Sequence, residues 1–107
     1  MSTPRFSQRE WNAAVRTLTV LCPLPSRVVV RRIKLPEGLY GDCDKRRGCF
    51  YIRVRRMVDM HHSFMVLTHE WAHAMVWSLY KDRDRDHPAY YGVAWSEAYQ
   101  ALFPSNA

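Results

Sequence analysis

Apolar residues recur at helical spacing in "SQREWNAAVRTLTVL", and Ser7 followed three residues later by Glu10 forms a capping box, so an amphipathic helix is expected to begin there. Pro23 and Pro25 end it. "RVVVRRIKL" and "CFYIRVRRMV" are rich in β-branched and aromatic residues and carry basic residues between them, the pattern of strands with one solvated face. The polar "DKRRG" before the second favours a turn, and "GLYGDC" is a candidate short third strand. From about Asp59 to Tyr80 the period is helical again. A charged loop follows, and Pro88 opens a last helix through "AYYGVAWSEAYQALF" that Pro104 closes. The expected fold is therefore α+β: an N-terminal helix, a small antiparallel sheet of two or three strands, a long helix and a C-terminal helix. All of it forms one domain over residues 1–107, with no repeat, linker or low-complexity segment.

Composition narrows the picture. A chain of 107 residues that is 48% hydrophobic has enough apolar material for one core and is expected to fold. His69, Glu70 and His73 interrupt the longest apolar run, so no stretch reaches membrane-spanning length. The N-terminal "MSTPRFSQREW" lacks the apolar centre of a secretion signal. A soluble, cytoplasmic protein is expected, and with it reduced thiols. Cys22, Cys43 and Cys49 then read as packing residues, with Cys43 and Cys49 as a minor alternative metal pair. A formal charge of +6 and a pI near 9.6 raise the question of nucleic acid. The basic residues alternate along the strands as on a solvated sheet face, however, and "KDRDRD" largely cancels its own charge.

The strongest chemical signal is "HEWAH" at residues 69 to 73, inside "SFMVLTHEWAHAMVWSLY". Residues four apart on an α-helix are separated by about 6 Å along the axis and point nearly the same way, so the imidazoles of His69 and His73 can share one metal ion. Glu70, one residue further round, can reach a water on that metal without binding the metal itself. This is the H-E-x-x-H arrangement of zinc hydrolases, where the metal lowers the water pKa towards 7 and the glutamate takes its proton. Large apolar neighbours, among them Phe64, Leu67, Trp71 and Val76, imply a mostly buried helix, in which two imidazoles and a carboxylate without a common purpose would each carry a desolvation cost.

A catalytic zinc usually takes three protein ligands. His61, His62, His87 and Glu97 are the candidates for the third. His61 and His62 lie about two turns before His69 and read better as exposed first-turn residues. His87 follows a loop that lets the chain turn back towards the metal. Glu97, on the last helix, reads as a carboxylate ligand, as support for a ligand histidine, or as a solvent-facing carboxylate. Tyr91 and Tyr99 read as aromatic packing, with donation to an oxyanion as the alternative. Trp71, Trp77 and Trp95 read as core.

Three stretches, "VVVRRIKLPEGLYGDCDKRRGCFYIRV", "LTHEWAHAMVW" and "DHPAYYGVAWSEAYQALF", together resemble the small SprT-like zinc metallopeptidases, bacteriophage-encoded ones in particular, over roughly residues 27 to 103. The resemblance implies a minimal zincin fold, His69, His73 and His87 as zinc ligands, and Glu70 as general base. It also implies a peptide or protein substrate, which an exposed strand edge, expected in "CFYIRVRR", would hold by β-augmentation. Relatives of this kind include proteases that act on DNA-bound proteins, so contact with DNA or with a DNA-bound protein through the basic strands is compatible with hydrolysis. The competing expectation is a non-catalytic zinc-containing module for DNA or protein binding, using Arg31, Arg32, Lys34, Arg53, Arg55 and Arg56.

Overall fold

In the computed structural model, which describes residues 7–79 and 88–104, helix α1 (Gln8–Leu21) begins at the expected capping box. The Ser7 hydroxyl accepts from the Glu10 N–H, and the Glu10 carboxylate accepts from the Ser7 N–H, each at 3.3 Å. Trp11, Ala14 and Leu18 form the buried face of α1. Three strands follow: β1 (Arg27–Ile33), β2 (Gly41–Arg46) and β3 (Cys49–Arg55). Helix α2 (Met60–Met75), a 3-10 turn at Trp77–Leu79 and helix α3 (Ala89–Leu102) complete a small α+β fold of three helices and one sheet among the described residues.

The sheet is mixed rather than antiparallel. Its order is β1-β3-β2, with β1 parallel and β2 antiparallel to β3. The turn between β2 and β3 is shorter than "DKRRG" suggested, because Asp44 to Arg46 remain in the strand. Arg47 (φ 51°) and Gly48 (φ 74°) alone make the bend, a two-residue hairpin of the kind whose twist matches the flanking strands. The loop 34–40 carries the chain across the end of β3 to the far edge of the sheet, leaving a slot that β3 fills. Arg55 holds that loop, its guanidinium donating to the carbonyls of Leu39 at 2.9 Å and Pro36 at 2.6 Å. β3 is therefore the central strand, paired on both sides, and the edge expected in "CFYIRVRR" does not exist. β2 is the outer strand on that side.

The even positions of β3, Phe50, Ile52 and Val54, are fully buried. Val28 and Val30 lie beside Phe50 and Ile52 in register, and Cys43 faces Ile52, so all share the face that packs on the helices. Cys49 has the opposite parity and lies on the outer face, which removes the Cys43–Cys49 metal pair. The basic strands do not present one surface either. Arg32 pairs in register with Val54 on the inner side, its guanidinium 5.6 Å over the Trp11 ring, while Arg53 is hydrogen-bonded to Asp42 and Arg55 to the loop.

Helix α2 starts at Asp59, whose carboxylate accepts from the His62 N–H at 3.1 Å. It stops at Met75, short of the expected Tyr80. There is no proline or glycine to end it. The chain tightens into a 3-10 turn that brings Trp77 edge-on to Phe50, with centroids 5.9 Å apart. The Trp71 indole N–H donates to the Cys22 carbonyl at 2.8 Å and fixes α2 against the end of α1. Tyr91, Ala94 and Ala98 form the buried face of α3. No helix among the described residues is long and apolar enough to cross a membrane.

β2 meets α2 at Gly41. A Cβ there would stand 2.7 Å from Val66 Cγ1, 2.9 Å from the Arg53 carbonyl oxygen and 3.3 Å from Glu70 Cγ. Only a residue without a side chain lets the strand lie this close. Gly41→Ala is expected to destabilise the fold by about 1–3 kcal/mol, as overpacking of a filled contact does. Urea denaturation with an unchanged midpoint would refute the close approach.

Candidate metal centre

On α2, Met65, His69 and His73 succeed one another at four-residue intervals and so form one stripe along the helix. The two imidazole centroids are 5.1 Å apart. One donor atom from each of His69, Glu70 and His73 lies within 4.8 Å of the others, and this is the only group of three or more such side chains among the described residues with that property. Both histidines are half-buried, whereas Glu70 is 7% exposed.

Helix α3 holds the histidines in place. The Tyr91 hydroxyl donates to the main-chain carbonyl of His69 at 2.9 Å, and its ring lies 4.5 Å from His73 and 5.6 Å from His69. With its hydroxyl engaged and the residue only 2% exposed, Tyr91 takes the packing place expected of it. Trp95, one turn on, approaches His69 at 5.9 Å and donates its indole N–H to the Thr68 hydroxyl at 3.3 Å. It is half-buried, packed against the core cluster of Ala72, Val76, Tyr91 and Ala94 as expected, while its other side faces the histidines. The i, i+4 pairing of Tyr91 with Trp95 repeats the spacing of His69 with His73, and that repetition was the one sequence signal for these two side chains.

Of the candidates for a third ligand, His87 lies outside the described residues. Glu97 is exposed and stands apart from the histidine group. It follows Trp95 by two residues, about 200° round the helix, so it faces away from the site. Its charge acts instead near the end of α1, where burial first and then Glu97 raise the Cys22 thiol pKa. His61 and His62 are exposed in the first turn of α2, as expected, packed beside Phe103 and Tyr40 at 4.8 and 5.3 Å. His62 also lines the cleft that leads to His69 and Glu70.

That cleft has a volume of about 430 Å³ and runs between the segment 38–41 and α2, with Trp95 at its side. Its wall determines the electrostatics of Glu70. Burial, and secondarily the negative charge of Asp42, push the carboxyl pKa up to about 7. Cys43, on the same strand, is raised to about 12 by burial and then by Glu70, so it stays a thiol. With the two imidazoles this carboxyl completes a set of three donors that could hold a metal ion.

The sign of the pH dependence follows. Glu70 binds its proton more tightly in the folded metal-free protein, near pH 7, than at its ordinary value of 4.5 in the unfolded chain. Its contribution to stability is complete below about pH 4.5, declines through the interval and is gone above 7. In chelator, Glu70→Gln is therefore expected to gain stability relative to wild type between pH 5 and pH 8, by on the order of 3 kcal/mol at the limit. A difference between the two proteins that stays constant across that range in urea titrations would contradict the raised pKa. The chain matches no protein-family model, no curated protein and no solved structure.

Proposed function

We propose that the chain is a zinc-dependent peptide-bond hydrolase of the SprT-like kind, with Glu70 as its general base. The observation that carries this reading is the convergence of His69, Glu70 and His73 on a largely buried helix, at the wall of an open cleft. Two imidazoles with a neighbouring carboxylate are donors that suit zinc, and His87 is proposed as the third ligand. When bound, zinc supplies the Lewis acidity that lowers the pKa of a water and polarises a carbonyl oxygen.

The chain's own residues would do the rest. The Glu70 carboxylate takes the proton of the attacking water and returns it to the leaving amine, and burial among Val66, Gly41 and Cys43 strengthens it as a base. Tyr91 and Trp95 keep the imidazoles in one orientation. β2 supplies the substrate edge. In a two-residue hairpin Arg46 and Cys49 are the closing hydrogen-bonded pair, so alternation leaves the main-chain groups of Gly41, Cys43 and Lys45 pointing away from β3, where an extended peptide would add as a strand. A second reading, a non-catalytic zinc module that binds DNA, draws on exposed Arg31, Lys34 and Arg56 and on the net positive charge. It requires Glu70 to be dispensable and DNA binding to weaken steeply with salt.

Elemental analysis after zinc-replete expression is expected to find one zinc per chain, and chelation to lower the melting temperature. Glu70→Gln should retain both zinc and fold while hydrolysis of an unfolded protein substrate falls by roughly 10²- to 10⁴-fold. Cleavage at the wild-type rate by this variant would remove Glu70 from the mechanism. For the third ligand, His87→Ala should weaken zinc binding beyond the roughly 10- to 100-fold that loss of an outer support costs. Glu97→Gln, facing away, should leave zinc affinity unchanged, and the reverse order in a competition titration would exclude His87.

A further inference from the structure

Beside the metal cleft lies a second groove of about 300 Å³, lined by Met65, Gly92, Trp95, Ser96 and Tyr99. Met65 and Trp95 line both, so the two adjoin at these side chains. The groove is walled almost entirely by apolar and aromatic surface. Its size is at the lower end of ligand pockets, which range from roughly 300 to 1,000 Å³, and suits one large side chain. Its walls are set before anything enters. The Trp95 indole N–H is held by the Thr68 hydroxyl, which itself donates to the Met65 carbonyl at 2.8 Å, and the Tyr99 ring packs on Phe103 at 4.7 Å.

Gly92 is the unexplained residue of α3. It lies in the first turn of the helix, and packing does not demand a glycine there, since among the described residues a Cβ at this position would meet no atom within 4 Å. What the missing side chain leaves is open space on the groove. We infer that this groove is the specificity pocket of the site: resting on the peptidase reading above, it seats a bulky apolar side chain of the substrate, leucine, methionine or phenylalanine, close to the scissile bond. Trp95, 5.9 Å from His69, sets the distance. An extended peptide advances about 3.3 Å per residue, so a side chain in the groove belongs to a residue within one or two positions of the bond held at the histidines.

The test uses the full zinc-loaded chain and Gly92→Leu, which fills the groove while replacing glycine by a good helix former. Cleavage sites are mapped on an unfolded protein digest. Wild type should show a preference for large apolar residues at one position beside the cut, and Gly92→Leu should shift it to alanine and serine. Its kcat/KM on a leucine-containing peptide should fall by roughly 10- to 200-fold relative to the alanine peptide, the range a hydrophobic pocket commands. Independently of turnover, the methyl resonance of Met65 in methionine-labelled protein should shift saturably with N-acetyl-leucinamide. It should not respond to N-acetyl-glycinamide, and the response should be lost in Gly92→Leu. An unchanged cleavage profile in a hydrolysing Gly92→Leu protein, or a Met65 signal indifferent to leucinamide, overturns the pocket and leaves the peptidase reading standing. Concentration-dependent broadening of Met65 without peptide would assign the groove to a second copy of the chain and overturn it as well. Absence of any hydrolysis by the zinc-loaded wild type removes both readings together.

Discussion

Glu70 is buried in the middle of a helix that touches the sheet on one side and α3 on another, and much of the architecture answers to its position. A carboxyl group there costs desolvation energy unless it is neutral or faces a positive charge. The fold places it beside two imidazoles and keeps β2 against its stem, so that Gly41 comes within 3.3 Å of Glu70 Cγ counted from a hypothetical Cβ. The same approach brings the charge of Asp42 into range, which raises the proton affinity of Glu70 further. One strand thus supplies both the low-dielectric wall and the free edge of the cleft.

The histidines depend on a different neighbour. Tyr91 is joined to the His69 carbonyl and lies against both imidazoles, while Trp95 is braced on Thr68. These contacts pack both rings against α3. Because α3 packs through small residues, Ala94 and Ala98, its backbone comes near enough for its large aromatics to reach the stripe on α2. Core packing and site geometry are therefore one arrangement, and a change at Ala94 or Ala98 would be felt at the histidines.

The hydrolase reading makes use of both neighbours, with β2 offering main-chain pairing and α3 offering the apolar groove. Main-chain pairing is indifferent to sequence, so discrimination among peptides falls to pockets for individual side chains. On that reading the open space at Gly92 would belong to the substrate.

Local chemistry determined a good deal of this protein. The capping box at Ser7 and Glu10, the helical interval around "HEWAH", the order of helices and strands, and the pairing of His69 with His73 all follow from spacings within one turn or one strand, where near neighbours decide the conformation. The tertiary structure alone decided the relations between elements. A strand with alternating residues reads the same beside a parallel or an antiparallel partner, so nothing in "RVVVRRI" announced that β1 would pair parallel to β3 and leave β2 as the edge. The end of α2 at Met75 was set by Trp77 turning onto Phe50, a contact between residues far apart in the chain. Glu97 shares a helix with Tyr91 and Trp95, but only the packing of α3 on α2 determined which of its faces meets the histidines, because rotation of a helix about its axis is fixed by its partners and not by its sequence of ligand-type residues.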